Sequence, residues 1–392
     1  MADTQPKPLT SAAIAPEHHI APQGTPLWLY ITGGIVALIS LALMGIVLLS
    51  GRSGANTVTF SASTEEATMA IAAAPIASPS PVLKAVEHAN MGDLVEARIL
   101  RGHTMPVRAL ALSPDGQLLV SGGGDGLIRL WEASTGVALR ALEGHGSGVT
   151  ALALSADGQI LASGGVDEVV RIWDIATRTE IRTITGFEAA ITALALTANG
   201  DMVIIADKSG RLQIWDTTTG ELLHAVDAEQ GAIISLVLSP DETLIASAGD
   251  DGTIRLWDTL TAEPVRILQG HSRTPSQLAF SPDSTILAAG GVDRIIYLWD
   301  MTSGQLLTTL NGHQAAITGL NFTSDGDLLL STDESGAMYI WQPSAETPLL
   351  RTIENDVTPI LSFTASLDGA RLATANQDTT ISIWEVASTT TP

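Results

Sequence analysis

The residues of this chain that could do chemistry are eight histidines and a large excess of carboxylates, with no cysteine at all. Histidine and carboxylate together could bind zinc or run acid–base catalysis, and either task needs them at a defined spacing. No HExxH or comparable ligand spacing occurs. His18 and His19 stand near the N-terminus, His88 precedes the patterned region and His224 falls in an alternating run, while His103, His145, His271 and His313 each follow a glycine, far apart in the chain. Asp250-Asp251 and Asp325-Gly326-Asp327 could invite a cation, but both fall where the pattern demands tight turns. Gly122-Gly123-Gly124 also sits in a turn and not between a strand and a helix, so a phosphate cradle fails on context. Without cysteine there is no disulfide, thiolate nucleophile or zinc–thiolate site. No catalytic residue, metal or cofactor is expected.

The elements that must position these residues are set by tryptophan. Trp131, Trp173, Trp215, Trp257, Trp299 and Trp341 follow one another every 42 residues and Trp384 comes 43 later, the mark of one supersecondary unit copied in series. The second copy, GHGSGVTALALSADGQILASGGVDEVVRIWD, holds three short alternating runs separated by turn residues, a three-stranded meander with a fourth strand after it. Pro114-Asp115-Gly116, Ala156-Asp157-Gly158, Ala198-Asn199-Gly200 and Ser324-Asp325-Gly326 supply the positive φ of tight hairpins. Pro240-Asp241-Glu242 and Pro282-Asp283-Ser284 lack that glycine and are expected to be less regular.

Trp28 stands outside the beat and belongs to a different element. Leu27 to Ser50 is a run of 24 residues without a charge; as a helix it spans about 36 Å, enough to cross a hydrocarbon core of about 30 Å. A cleaved signal peptide would need a basic start, a shorter apolar stretch and a small-residue cleavage site. The division expected is a polar tail (1–26), a transmembrane helix (27–50), an Ala/Ser/Pro-rich linker (51–92), the repeat domain (93–388) and a short tail (389–392). Flanking charges nearly cancel; the short tail and uncharged linker favour placing the repeats outside the cytoplasm. A linker of about 40 residues reaches on the order of 35 Å. Of the net charge of −23, residues 93–392 hold 37 acidic and 16 basic side chains, a balance that disfavours nucleic acid.

With Gly-His near the start of the units and Trp-Asp near their ends, the chain resembles the WD40 repeat family over residues 94–387. The resemblance implies an all-β, seven-bladed β-propeller of four-stranded antiparallel blades. It also implies a buried network in which a loop His, a second-strand Ser or Thr, a turn Asp and the Trp fix each blade. His103, Ser121, Asp125 and Trp131 match it, as do His145, Ser163, Asp167 and Trp173. Elsewhere the match is partial: Glu229 for His beside Ser247, Asp251 and Trp257; His271, Asp293 and Trp299 with Ala289 for the hydroxyl; His313, Ser331 and Trp341 with Ser335 for Asp; Asp356 beside Thr374, Asp378 and Trp384. The third unit is the most eroded, with Phe187, Ile205 and Ser209 around Trp215, and is expected to be the least stable. Since only eight residues follow Trp384, Leu94–Leu100 must supply the outer strand of the last blade. The tether then leaves from the face opposite the Gly-His loops.

In similar propellers, exposed positions flanking the first strand and just before the turn Asp often meet protein partners. Here they are Arg108, Thr150, Thr192, Ser276 and Thr318, then Lys208, Asp250, Glu334 and Gln377; Arg108 and Arg273 are the expected anchors. The reading is a membrane-anchored, non-enzymatic protein–protein interaction scaffold. A propeller enzyme or small-ligand sensor with a site in the top-face channel is the alternative.

Overall fold

The computed structural model describes residues 94–354, 358–366 and 369–386; the expected membrane segment 27–50, the tails and the linker lie outside them. Among the described residues the helices and strands are all strands, 28 of them, and no helix is long and apolar enough to cross a membrane. Strand β1 (Leu94–Leu100) comes first. The first blade follows as β2 (Val107–Leu112), β3 (Leu118–Gly123), β4 (Ile128–Glu132) and β5 (Val137–Leu142), an antiparallel meander running outward from a central channel. Runs such as VRALAL and IRLWE alternate and are rich in β-branched and aromatic residues, the composition that fits a pleated, half-buried sheet. Five further blades, β6 to β25, repeat this order over residues 149–184, 191–227, 233–268, 275–311 and 317–353. The seventh takes β26 (Ile360–Ala365), β27 (Arg371–Asn376) and β28 (Ile381–Val386). Strand β1 adds as its outer member, Leu94 opposite Val386 and Leu100 opposite Ile381. Because β26 also adjoins β2, the innermost strands form a closed ring. The fold is the seven-bladed propeller the repeat implies.

Each of the seven apolar clusters spans two neighbouring blades. Between the first and second, Val120, Ile128, Leu130 and Leu142 meet Val149, Leu161 and Trp173. Between the last and the first, Leu100, Ile381 and Ile383 meet Val107, Leu119 and Trp131. Burying a side chain of this kind is worth roughly 1.5–3 kcal/mol, and no blade collects that gain alone. Close approach depends on small residues at the end of the second strand: a Cβ on Gly122 would lie 2.6 Å from Val149 Cγ1 of the next blade.

Two details shape the faces. In every innermost strand the register skips the second residue. Such a bulge leaves a residue out of the ladder and re-aims its side chain; the seven are Arg108, Thr150, Thr192, Ile234, Ser276, Thr318 and Leu361. On the opposite face, the two turns expected to be irregular are not. Glu242 and Ser284 adopt φ of 59° and 61°, beside 65° at Gly116, and their N–H groups close onto Ser239 and Ser281 at 2.8 and 2.9 Å. Their side chains offset the left-handed backbone by bonding the turns of neighbouring blades: Ser284 Oγ accepts Asp241 N–H at 3.1 Å, and Glu242 accepts Ala198 N–H.

Ring closure carries its own ionic clasp. Glu385 Oε1 on β28 takes Arg98 Nη1 of β1 at 2.8 Å and Arg371 Nε of β27 at 2.9 Å, while Arg371 Nη1 donates to Gly116 O of the first blade at 2.6 Å. Arg371 is buried, so removing its counter-ion strands a guanidinium away from water. Glu385→Ala should therefore cost about 3 kcal/mol in urea unfolding, and deletion of Leu94–Leu100 should abolish a single cooperative transition. Unaltered unfolding curves would show that the ring does not depend on this seam.

Candidate functional site

In the first two blades the expected set is assembled as a directed chain of hydrogen bonds. Trp131 Nε1–H donates to Ser121 Oγ at 2.8 Å, Ser121 Oγ lies 2.8 Å from His103 Nε2, and His103 Nδ1 lies 3.0 Å from Asp125. Since indole can only donate and carboxylate only accept, the imidazole carries its proton on Nδ1 and Nε2 accepts the serine hydroxyl. Asp125 also takes Thr104 N–H at 2.9 Å. His145, Ser163, Asp167 and Trp173 repeat these distances at 2.8, 2.8 and 3.0 Å. Gly123 is obligatory, because a Cβ there would sit 2.3 Å from His103 Nδ1. The order Ser–His–Asp is that of a hydrolase nucleophile, but Ser121 and Ser163 are fully buried and already accept an indole proton. No substrate reaches them, so the set locks β3 to β4 and to the entering loop.

The other blades reach the same end with different residues, and several expectations need correction. In the fourth, Glu229 does not replace histidine: it turns outward at φ 49°, and Gln230, fully buried, accepts the Ser247 hydroxyl at 2.6 Å while Trp257 donates to Ser247 Oγ at 2.8 Å. Asp251 only closes its turn onto Thr253. In the sixth, Ser335 is not the carboxylate's substitute. Asp333, two residues earlier, faces His313 Nδ1 at 2.9 Å and is itself capped by Ser335, with Ser331 Oγ 2.6 Å from His313 Nε2 and 2.7 Å from Trp341 Nε1. Blade three has the same exchange: Asp207 takes Ser209 N–H, but its histidine is Phe187, which packs on half-buried Trp215, and Trp215 Nε1 donates to Gln213 instead. Asp207 Oδ2 is left buried without a partner. In the seventh, Trp384 donates to Thr374 Oγ1 at 3.1 Å, Asp378 caps Thr380, and Asp356 lies outside the described residues. In the fifth, His271 Nδ1 meets Asp293 at 2.9 Å, but with Ala289 in place of a hydroxyl its Nε2 is buried with no partner. The exchange of Gly-x-Asp for Asp-x-Ser was the signal for Asp333 and Asp207; nothing in the sequence marked Gln230.

The partner-facing candidates separate into two groups. Lys208, Arg273, Glu334 and Gln377 are exposed on the loops of the Gly-His face, and Asp250, also exposed, accepts Thr274 Oγ1 at 3.2 Å. Thr150, Thr192 and Ser276 turn instead to the channel wall and donate to carbonyls: Thr150 to Ile191 O and Ser276 to Ile317 O of the next blade, Thr192 to Ala206 O. Thr318 lies 3.1 Å from Thr332 Oγ1. Arg108 is exposed on the channel wall. Among the described residues no group of three or more histidines and carboxylates could hold a metal ion.

The profile described as "WD domain, G-beta repeat" matches residues 95–132, 136–174, 178–216, 220–258, 262–300 and 304–342. Among curated proteins, "Ribosome biogenesis protein BOP1" of Homo sapiens is 51% identical over 45 residues, which is 12% of this chain and 6% of that protein. The same protein of Rattus norvegicus is 52% identical over 40 residues, 10% and 6% of the two chains, and the "Ribosome biogenesis protein BOP1 homolog" of Drosophila melanogaster 44% over 46 residues, 12% and 6%. The chain thus covers about 6% of the length of these relatives, and each match is about one repeat long.

The locks make two results predictable. Ser121→Ala orphans a buried imidazole and a buried indole together and should cost about 2–3 kcal/mol, whereas Ala289→Ser gives His271 Nε2 its missing partner and should raise the melting temperature. Burial holds the pKa of His103, His145 and His271 below 6.5, against the opposing pull of their aspartates. The folded state therefore binds fewer protons than the unfolded chain. The stability these neutral imidazoles give is complete above about pH 6.5 and falls as the pH drops through that value; urea midpoints between pH 7.5 and 5 should decline accordingly.

Proposed function

The chain belongs to the WD40 repeat family, and on that premise we propose that it is a non-enzymatic scaffold that binds protein partners on the Gly-His face of its propeller while residues 27–50 hold it in a membrane. The observation that carries this reading is how the reactive residue types are used. The Gly-His histidines and their aspartates are taken up in blade locks with side chains at most 14% exposed, and Ser121, Ser163 and Ser331 are buried beside them, whereas Lys208, Arg273, Glu334 and Gln377 are exposed on loops of the same face. Such small polar and basic positions suit a modest or transient contact, since strong hot spots favour Trp, Tyr and Arg.

The anchor rests on the uncharged 24-residue run and on the way the chain enters the ring. Leu94 lies opposite Val386 at the end of β28 away from the Gly-His loops, so a tether leading to β1 arrives at the far rim and leaves those loops pointing away from a bilayer. The extracytoplasmic placement of the propeller belongs to the same proposal. Likeness to the ribosome biogenesis proteins is one repeat long; it supports the shared unit and brings no pathway with it.

Two measurements test the reading. A partner captured with the full-length chain should be recovered about tenfold less with Lys208→Ala/Arg273→Ala, at unchanged melting temperature; equal recovery would reject this face. Protease added to sealed cells should digest the propeller, and complete protection would reverse the topology.

A further inference from the structure

Arginine stands two residues before the tryptophan in three of the blades, as Arg129, Arg171 and Arg255, where the other four have Gln213, Tyr297, Tyr339 and Ser382. All three are half-buried, and two have a counter-ion within the propeller. Arg171 Nη1 donates to Glu180 Oε2 at 2.7 Å and to Thr183 Oγ1 at 3.1 Å, both on the outer strand β9 (Thr179–Ile184). Arg255 lies 3.8 Å from Glu229 Oε2 and donates to Glu229 O at 2.9 Å. Arg129 differs. Register sets Ala141 and Ala138 of β5 where the second blade has Thr183 and Glu180, and among the described residues the Arg129 guanidinium makes no hydrogen bond or ion pair. In a chain with 42 acidic and 19 basic side chains, a half-buried guanidinium beside two alanines is unexplained by the packing.

The surroundings of Arg129 select what it would meet. Across the groove stand β1 and the loop after it: a Cβ on Gly102 would lie 3.6 Å from Arg129 Cζ, and one on Gly136 3.4 Å from Arg98 Cδ. Arg98 is already held by Glu385, which leaves Arg129 for a further carboxylate, the group a guanidinium fork takes bidentately. The strand beside it is an open edge. β5 is the outermost member of its sheet, and its Val137 and Leu139 are 55% and 39% exposed. Charge and proline blunt such edges, as Glu180 and Arg182 do on β9 and Pro264 on β17 (Pro264–Leu268), whereas β5 has Arg140 alone. A segment added along this edge sets every second side chain on the face of Ala138 and Ala141. We propose that the groove between the last and first blades docks an extended acidic segment of a partner protein, paired with β5 through its backbone and with Arg129 through a carboxylate. The groove is flanked by outer strands and shares no residue with the contact set of the Gly-His face, so the two surfaces are independent.

The peptide acetyl-SVTEVTS-amide and its glutamine counterpart acetyl-SVTQVTS-amide, each titrated into the full-length chain by isothermal calorimetry, test it. The glutamate peptide should bind saturably and at least tenfold more tightly than the glutamine peptide. Arg129→Ala should weaken it tenfold or more, Arg129→Lys should restore part of the loss, and Lys208→Ala/Arg273→Ala should change nothing. Ala138→Glu, which keeps the arginine and supplies the carboxylate that Glu180 gives Arg171, should raise the melting temperature and abolish peptide binding, a result that stands even where Arg129→Ala lowers stability. Equal binding of the glutamine peptide, an Arg129→Ala variant as tight as the wild type, an Ala138→Glu variant that still binds, a loss caused by Lys208→Ala/Arg273→Ala, or no saturable binding would each overturn the proposal.

Discussion

Strand β1 pairs with a strand at the opposite end of the domain, Arg98 reaching Glu385 across 287 residues of sequence, and the other blade interfaces depend on that seam. Because each apolar cluster is shared by two blades, an open ring would expose Leu100, Val107, Leu119 and Trp131 on one side and Ile381 and Ile383 on the other. The loss of hydrophobic burial would not stay local, since the innermost strands of successive blades hold one another in place around the channel. A long loop closure is entropically expensive, which makes ionic reinforcement at this seam, with Glu385 between two arginines, physically reasonable.

Within each blade the invariant is a role and not a residue. A buried hydroxyl collects an indole proton in blades one, two, four, six and seven, and its own proton goes to histidine in the first and second and to the glutamine carbonyl in the fourth. What these five blades share physically is that the buried indole donor is paired. Asp207 Oδ2 and His271 Nε2, two acceptors buried without a partner, lie in the blades where Phe187 and Ala289 replace a member of the set.

Much of this could be read from sequence because period, turn chemistry and alternation act locally. The tryptophan beat gave the blade count, and the run Leu94–Leu100 stands before the first Gly-His as the outer strands stand before the later ones, which marked β1 as the strand that closes the ring. Legibility failed where a role moved along the chain. Gln230 takes the histidine's place only because Glu229 adopts a left-handed backbone, a change that residue type did not announce. Asp333 replaces the turn carboxylate from the end of the preceding strand, as Asp207 does in blade three, at a site that is glycine in blades one, two, four and five. The bulges could not be foreseen either: they are a property of strand pairing, and they set Arg108 and Thr150 on the channel wall.

The offset between sequence unit and blade has a further consequence. The first profile match, residues 95–132, takes in β1 and then β2, β3 and β4, that is, the outer strand of one blade and the inner three of the next. A gene that lengthens by copying such a unit therefore inserts a piece already hooked into its predecessor, with half of a new interface in each copy. Growth of this kind interlocks successive copies as it proceeds, and the one junction it does not supply is the last, where the first strand of the array meets the final blade.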